Sequence, residues 1–368
     1  FARERFRSLS QLVYSMERKS IQIRGASSYM ATSDKRNISM NDVAVAAGVS
    51  LKTVSRVIND PDAVRPQTRD KVHDAMDALG FRTNFAARSL KLGRYGCIGV
   101  ALFHLSGGVV DMLDGIAAAA EDRGFALTLI KKNPGEKMTL TDAARRMSRL
   151  PVDGMIFNLG QMVEDFETFE APKDLKTVIV TPMEHPTCST ISDDQEGSAR
   201  MACEYLLDHG HRTVHFIAGR EESLSSRCRM KGWRSALEAR GIEPPEPFSG
   251  DWEADSGYAA GLKLADMREC TAIMAANDCM ANGAMVALRE KGLSVPDDVS
   301  VIGFDDELYK TVPNSILSSV KFEHRELGIK ALNEVASGLE NPETRSRILV
   351  SGRLVERGSV RDLRDKKL

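Results

Sequence analysis

Residues 39–59 read Ser-Met-Asn-Asp-Val-Ala-Val-Ala-Ala-Gly-Val-Ser-Leu-Lys-Thr-Val-Ser-Arg-Val-Ile-Asn, and this stretch decides how the chain folds. Ser39 suits a helix N-cap, because its hydroxyl can accept from an orphan amide of the first turn. Asp42, three residues on, places a negative charge at the positive end of the helix dipole. Val43, Ala44, Ala46 and Ala47 give that helix a small apolar face. Gly48 ends it where the backbone must take positive φ. Val49 plugs the small core, Ser50 caps a second helix, and Val54, Val57 and Ile58 form its buried stripe. Two short helices around a tight turn are the arrangement by which a helix-turn-helix presents its second helix to the DNA major groove.

The side chains left outside that stripe are rich in hydrogen-bonding groups. Leu51, Lys52 and Arg56 are candidates for base reading. Lys52 or Arg56 can donate to guanine N7 and O6, and Leu51 can touch a thymine methyl. Ser50, Thr53, Ser55 and Asn59 are candidates for phosphate contacts, which position the helix without reading sequence. A surface helix with ordinary solvated residues is the plain alternative.

The chain beyond bears on that choice. Residues 66–79 read as a third helix, with Pro66 at the first helical position, where a missing amide costs nothing. Val72, Met76 and Leu79 recur on one face and Gly80 stops the run. Asn84 can then cap a helix of only about two turns over 85–91, too short to be stable alone in water. Such a segment can order on DNA, with Leu90 as an apolar wedge for a minor-groove base step. A plain interdomain linker is the alternative.

Here the chain closely resembles the lactose-repressor (LacI/GalR) family of bacterial transcription regulators. The matching stretches are Asp42-Val-Ala with Ala47-Gly-Val-Ser, Thr53-Val-Ser-Arg-Val-Ile-Asn, Thr68-Arg-Asp-Lys-Val, Leu79-Gly-Phe with Asn84, and Ala87-Arg-Ser-Leu-Lys followed by Ile98-Gly-Val. The resemblance implies that Leu51 and Lys52 stand at variable base-reading positions and Leu90 at the minor-groove wedge. Asn84, Ala87 and Leu90 complete the expected DNA-facing set. Arg65 departs from the pattern, since a small hydroxyl residue usually caps the third helix.

At 368 residues the chain is too long for one core. Its formal charge of −2 hides an asymmetry. Residues 1–95 hold 17 Lys/Arg against 9 Asp/Glu, and the remainder 33 against 43. A basic head on an acidic body fits nucleic-acid binding by the head alone. The six cysteines are scattered without metal-ligand spacing, which reads as reduced thiols in a cytoplasmic protein. No apolar run approaches the ~20 residues of a membrane span. Residues 1–38 are basic and lack the apolar stretch of a secretory signal. They are expected to be a disordered extension, with Met30 a candidate natural start.

From residue 96 apolar strands alternate with amphipathic helices. Strands are expected over 97–103, 126–131, 154–158, 177–181, 213–218, 271–275 and 299–304. Helices are expected over 110–123, 140–149, 196–209, 227–240, 256–267, 280–291 and 324–337. Continuous apolar strands between helices imply parallel sheets covered on both faces. Ligands then bind at the carboxyl ends of the strands.

The expected fold is therefore α/β, a helix-turn-helix head followed by a two-lobed body of the periplasmic-binding-protein type I architecture that the family resemblance supports. The expected domains are an extension (1–38), a DNA-binding domain (39–83), a hinge helix and linker (84–95), an effector-binding and dimerisation body (96–360) and a tail (361–368). Within the body, one lobe takes about 96–192 and 324–350, the other about 193–320 and 351–360.

The resemblance makes Arg229, in Ser226-Arg-Cys-Arg-Met-Lys-Gly-Trp, the arginine that grips the effector. A planar guanidinium can span adjacent hydroxyls or a carboxylate. Trp252 matches a tryptophan that stacks on a sugar ring, although it could also be core. Asn277 and Asp305 end strands and match effector-contacting positions, with either Asp305 or Asp306 expected to cap a turn. Phe103, His104, Asn158, Phe322 and His324 are expected to line the N-terminal lobe's side. Polar groups around an aromatic platform fit a hydroxylated ligand, most simply a sugar. Arg227 reads as structural, and His209 with His211 as a helix cap and loop rather than a metal pair.

The expected function is a transcriptional regulator, a repressor most simply, that binds a pseudo-palindromic operator as a homodimer in the bacterial cytoplasm under the control of a small ligand. No cofactor is expected. A solute-binding transport protein needs a secretory signal and no DNA head, and this chain has the reverse. An enzyme reading finds no Gly-rich phosphate loop, nucleophile elbow or zinc spacing. The C-terminal stretch has no apolar heptads, so a tetramerising coiled coil is not expected.

Overall fold

The computed structural model describes residues 38–81, 93–133, 135–308 and 312–364, without the side chains of Asn59 and Pro61. The extension before residue 38, the expected hinge helix with Asn84, Ala87 and Leu90, and the side chain of Asn59 lie outside the described residues. The chain divides into two compact units, 1–84 and 85–368.

In the first unit α1 spans Met40–Ala47, and Ser39 and Asp42 close a capping box. The Asp42 amide donates to Ser39 Oγ at 3.3 Å and the Ser39 amide to the Asp42 carboxylate at 2.8 Å. Gly48 follows with φ 66°, and Ser50 caps α2, Leu51–Asn59, by accepting from the Thr53 amide at 3.1 Å. A short 3-10 turn, Pro61–Ala63, leads to α3, Pro66–Leu79. Arg65 precedes α3 without a side-chain cap, so that helix starts on the proline's fixed φ alone. The three helices close on Val43, Ala44, Val54, Val57, Val72 and Ala75.

The second unit holds, among the described residues, two six-stranded sheets. The first sheet has the order β11-β5-β4-β3-β1-β2. Its strands are β1 Cys97–Leu102, β2 Ala126–Lys131, β3 Gly154–Asn158, β4 Lys176–Val180, β5 Ser189–Asp193 and β11 Arg347–Val350, paired in parallel throughout. Helices α4 (Gly107–Asp122) and α10 (His324–Gly338) pack on one face over Ile98, Val100, Ile156 and Val178. Helix α5 (Leu140–Met147) covers the other face with Phe157, Phe166 and Phe169.

The second sheet has the order β12-β10-β9-β8-β6-β7, from β6 His215–Ala218, β7 Phe248–Ser249, β8 Ala272–Ala275, β9 Ser300–Phe304, β10 Ser318–Lys321 and β12 Arg353–Val355. Helices α6 (Gln195–Asp208), α7 (Leu224–Glu238), α8 (Ala254–Ala265) and α9 (Asp278–Glu290) flank it. One core runs through this lobe around fully buried Trp233, whose indole N–H donates to the Val214 carbonyl at 2.8 Å. β12 pairs antiparallel with β10, so the expectation of wholly parallel sheets fails at this edge.

The chain crosses between the lobes three times, from β5 to α6, from β10 to α10, and from β11 to β12. β5, β7, β10, β11 and β12 were not among the expected strands. β5 (Ser-Thr-Ile-Ser-Asp) and β10 (Ser-Ser-Val-Lys) lack an apolar run yet are buried, except for Lys321 at the end of β10, because their hydroxyls find partners inside. Ser319 Oγ donates to Asp278 at 2.6 Å, and Ser189 Oγ donates to Glu334 Oε1 at 2.9 Å. Among the described residues no helix is long and apolar enough to cross a membrane.

Candidate functional site

Burial of Val54 and Val57 turns the opposite face of α2 outward. Leu51, Lys52 and Arg56 are exposed there, and Leu51 is a bare apolar side chain at 47 % exposure. Ser50 is also exposed, while Thr53 and Ser55 are half-buried. The Ser50 and Thr53 hydroxyls lie 2.8 Å apart, so the cap that starts the helix also fixes the two hydroxyls at its tip.

Between the lobes lies a cavity of about 480 Å³, within the range of small-molecule sites. His104, Asn158, Arg229, Trp252, Asn277, Asp305 and His324 all line it. Phe103 and Phe322 do not. Phe103 packs edge-on to Phe157, 6.5 Å between ring centres, in the core around α5. Phe322 sits in the C-terminal lobe's core, 4 % exposed, stacked 6.3 Å from Phe304, rather than on the N-terminal lobe's side. Alternation along an extended backbone sends neighbouring side chains to opposite sides. Phe103, one residue from His104, therefore turns away from the cleft, whereas Phe322, two residues before His324, is held in the lobe core by its stacking on Phe304.

Arg229, on α7, is 4 % exposed and held from several directions. Its Nε donates to Gln195 Oε1 at 2.7 Å, its Nη2 to Asp305 Oδ1 at 2.8 Å, and its Nη1 to the Ala276 carbonyl. The guanidinium carbon lies 4.7 Å from the Phe304 ring centre, 5.3 Å from Phe322 and 5.9 Å from Trp252. An arginine carries five N–H donors, so this network orients the group and leaves donors over.

Asn277 caps α9 by accepting from Met280 N at 2.9 Å, and its amide donates to the Trp252 carbonyl at 2.9 Å. Its contribution is therefore to seat Trp252, whose backbone sits at φ 78°. The Trp252 ring lies against Gly219, where a Cβ would stand 2.3 Å from the indole, so only glycine allows that seat. Trp252 is both packed on the C-terminal lobe's core and part of the cleft wall. Asp305 and Asp306 take φ 90° and 55° and diverge. Asp305 turns to Arg229, and Asp306 pairs with Arg357 at 2.7 Å.

On the other wall, burial pushes the His104 imidazole below its ordinary pKa, so it is neutral near pH 7. Burial alone would push His324 down too. The Asp193 hydrogen bond and charge outweigh it and hold that imidazole above its ordinary value. His211 is buried between Thr271 Oγ1 and Ser300 Oγ, both at 3.0 Å, and His209 caps α6. Arg227 donates to the Glu221 carbonyl at 2.8 Å on the surface.

Residues 39–84 match the model of bacterial regulatory proteins, lacI family, and residues 173–360 that of a periplasmic binding protein-like domain. The HTH-type transcriptional repressor PurR of Vibrio atlanticus is 30 % identical over 334 residues, covering 88 % of this chain and 99 % of that protein. Catabolite control protein A of Priestia megaterium is 30 % identical over 302 residues, covering 80 % and 91 %. This chain belongs to the LacI family. The Lac repressor dimer bound to operator and the anti-inducer ONPF superimposes with a TM-score of 0.73 at 28 % identity, covering 89 % of this chain and all of that one. A CelR–cellobiose complex gives 0.60 at 28 % identity, covering 88 % and 99 %. These LacI-family relatives are transcriptional regulators, not enzymes, and the present chain is a DNA-binding regulator with a ligand-binding body.

The LacI-family cleft also contains residues that the sequence did not single out. Asp193 and Gln195, at the first crossover, contact His324 and Arg229. Their signal was Ser192-Asp-Asp-Gln-Glu-Gly, a run of polar residues between a strand and a helix, legible only once β5 was recognised as a strand. Gly108 and Gly160 lie against His324 and His104 as Gly219 lies against Trp252, each leaving no room for a Cβ.

Proposed function

We propose that this LacI-family regulator is a homodimeric repressor of a pseudo-palindromic operator in the bacterial cytoplasm, controlled by a sugar or sugar derivative bound between its lobes. The functional division follows the expected one, with 39–83 reading DNA, 84–95 as hinge and 96–360 as effector body. The reading rests chiefly on one observation. An aromatic ring, Trp252, and a preoriented Arg229–Asp305 pair share one wall of a cavity lined about equally by polar and apolar groups. An aromatic face takes the apolar side of a sugar ring, and a charged pair grips adjacent hydroxyls by charge-assisted bonds. A structural neighbour solved with cellobiose lends support.

Two half-sites read by two recognition helices make the operator symmetric. Lys52, Arg56 and Leu51 supply base contacts and Ser50, Thr53, Ser55 and Asn59 phosphate contacts, with Asn84, Ala87 and Leu90 at the minor groove. The ligand acts by binding one lobe arrangement better than another, and only that difference in affinity can reach the DNA. Gln195 and Phe322, at two of the crossovers, both touch Arg229, so a ligand on the guanidinium is one side chain away from the segments on which the lobes would turn. The test is thermal protection of the full chain by a panel of sugars, followed by operator affinity with each protecting sugar. Protection by purine bases alone would refute the sugar reading.

A further inference from the structure

We propose that Asp193 is a specificity-determining residue, whose unengaged carboxylate oxygen accepts a hydroxyl of the ligand and repels phosphate, so that the effector is an uncharged, unphosphorylated sugar. This deepens the reading above and rests on it.

Asp193 ends β5 at the first crossover and is 5 % exposed. Its Oδ2 accepts from His324 Nδ1 at 3.0 Å. Its Oδ1 is buried, belongs to a residue that lines the cleft, and has no donor among the described residues. Asn158, at the end of β3 and also 5 % exposed, repeats the pattern on the same wall. Its amide points to Met112 Sδ at 3.5 Å, and its Oδ1 is buried without a donor among the described residues. Two unengaged buried acceptors call for donors on the ligand. Hydroxyls provide them and a phosphate dianion does not.

Charge points the same way. The two inner cations of the cleft are already paired with carboxylates. Arg229 is shared among Gln195, Ala276 and Asp305, and His324 is held by Asp193. Arg220, exposed at the rim, donates Nε to the Asp251 carbonyl at 3.1 Å. Four carboxylates, Asp193, Glu253, Asp305 and Glu307, line the cavity. A phosphate reaching Asp193 would meet a buried negative oxygen whose neighbouring cations, Arg229 and His324, are already paired with carboxylates, and in a low-dielectric site like charges repel far more strongly than in water. A site built to bind a hydroxyl also rejects an analogue that leaves its buried group unpaired.

The experiment is isothermal titration of the full chain with glucose, galactose, ribose and cellobiose, and with glucose 6-phosphate, galactose 6-phosphate and ribose 5-phosphate. The expected result is that a neutral sugar binds and its phosphate binds at least about tenfold more weakly. Asp193→Asn keeps the shape and can still accept from His324. It should shrink that preference to within about threefold, with the melting temperature confirming that the variant is folded. A phosphate that binds as tightly as its parent sugar, or an Asp193→Asn variant with undiminished preference, overturns the assignment and leaves the sugar reading intact. Binding by none of the sugars or phosphates overturns the sugar reading and this inference with it. Inorganic phosphate is a probe independent of the sugar. It should not stabilise the wild-type chain beyond chloride at matched ionic strength, and stabilisation would count against Asp193 as an anion filter.

Discussion

Replacing Arg229 with alanine should damage two things at once, and the structure sets the proportion. The side chain is 4 % exposed and its three hydrogen bonds reach Gln195, the Ala276 carbonyl and Asp305. Removing one partner of a buried ion pair costs about 3–5 kcal/mol, mostly from the charge left behind. The Asp305 side chain is 24 % exposed, so water recovers part of its solvation, and the lower end, about 3 kcal/mol, applies. Against the 5–15 kcal/mol that typically separates folded from unfolded domains, such a loss is large but survivable. Arg229→Ala should therefore fold, unfold at lower urea with an unchanged slope, and bind no sugar. Adding Asp305→Ala should cost much less than the two single changes summed, because the second substitution removes the stranded charge. The folded fraction of Arg229→Ala should keep wild-type operator affinity, since the substitution leaves the DNA-reading helix unaltered. A loss below about 1 kcal/mol, or strict additivity of the pair, would refute the claim that Arg229 is a preoriented buried fork.

Other expectations follow from single residues. Lys52→Ala should change which duplex a selection from random sequence recovers, whereas a uniform loss across all sequences would mark Lys52 as a phosphate contact. Gly219→Ala should push the Trp252 ring out of its seat and weaken sugar binding by at least about tenfold; Trp233→Phe leaves Trp252 as the sole tryptophan, so fluorescence reports the displacement directly. Burial pushes the His211 imidazole down to about 4 from an unfolded value of 6.5, so its contribution to stability is whole above pH 6.5 and is lost as pH falls toward 4. A His211→Gln variant should show a flatter loss of stability across that window. Asp278 has the opposite sign. Burial, opposed by the Ser319 hydrogen bond, raises its carboxyl to about 7, so the stability linked to its neutral form is present below pH 3.8 and disappears as pH rises through 7. Asp278→Asn should remove that decline, as urea midpoints from pH 4 to 8 would reveal.

The head was the legible part of this chain because its signals are local. Ser39, Asp42, Gly48, Ser50 and Pro66 act on residues within four positions of themselves, and the structure places each where its backbone chemistry requires. The long apolar strands were legible for a related reason, since a buried run such as Cys97–Leu102 admits few other readings. β5 and β10 were not, because serine and threonine in a strand declare burial only through partners distant in sequence, as Ser319 does through Asp278, 41 residues away, and Ser189 through Glu334, 145 residues away. The cleft combines both cases. Arg229, Trp252 and Asp305 stood out as motif positions, but Asn277 turned out to seat the indole, and Asp193 and Gln195 became visible only when separate strand ends converged. The errors over Phe103 and Phe322 came from reading neighbours in sequence as neighbours in the cleft, whereas packing on Phe157 and on Phe304 takes the two rings into the lobe cores.

The most direct test of a ligand-controlled repressor is operator affinity by fluorescence anisotropy. The full chain is mixed with its selected duplex, and the sugar panel is titrated into the wild type and into Trp252→Ala. At least one sugar should change wild-type operator affinity about tenfold or more and leave the variant unmoved, the size expected of a coupling worth about 1–3 kcal/mol. A panel without effect on the wild type, or a sugar that shifts both proteins equally, would contradict control through this cleft.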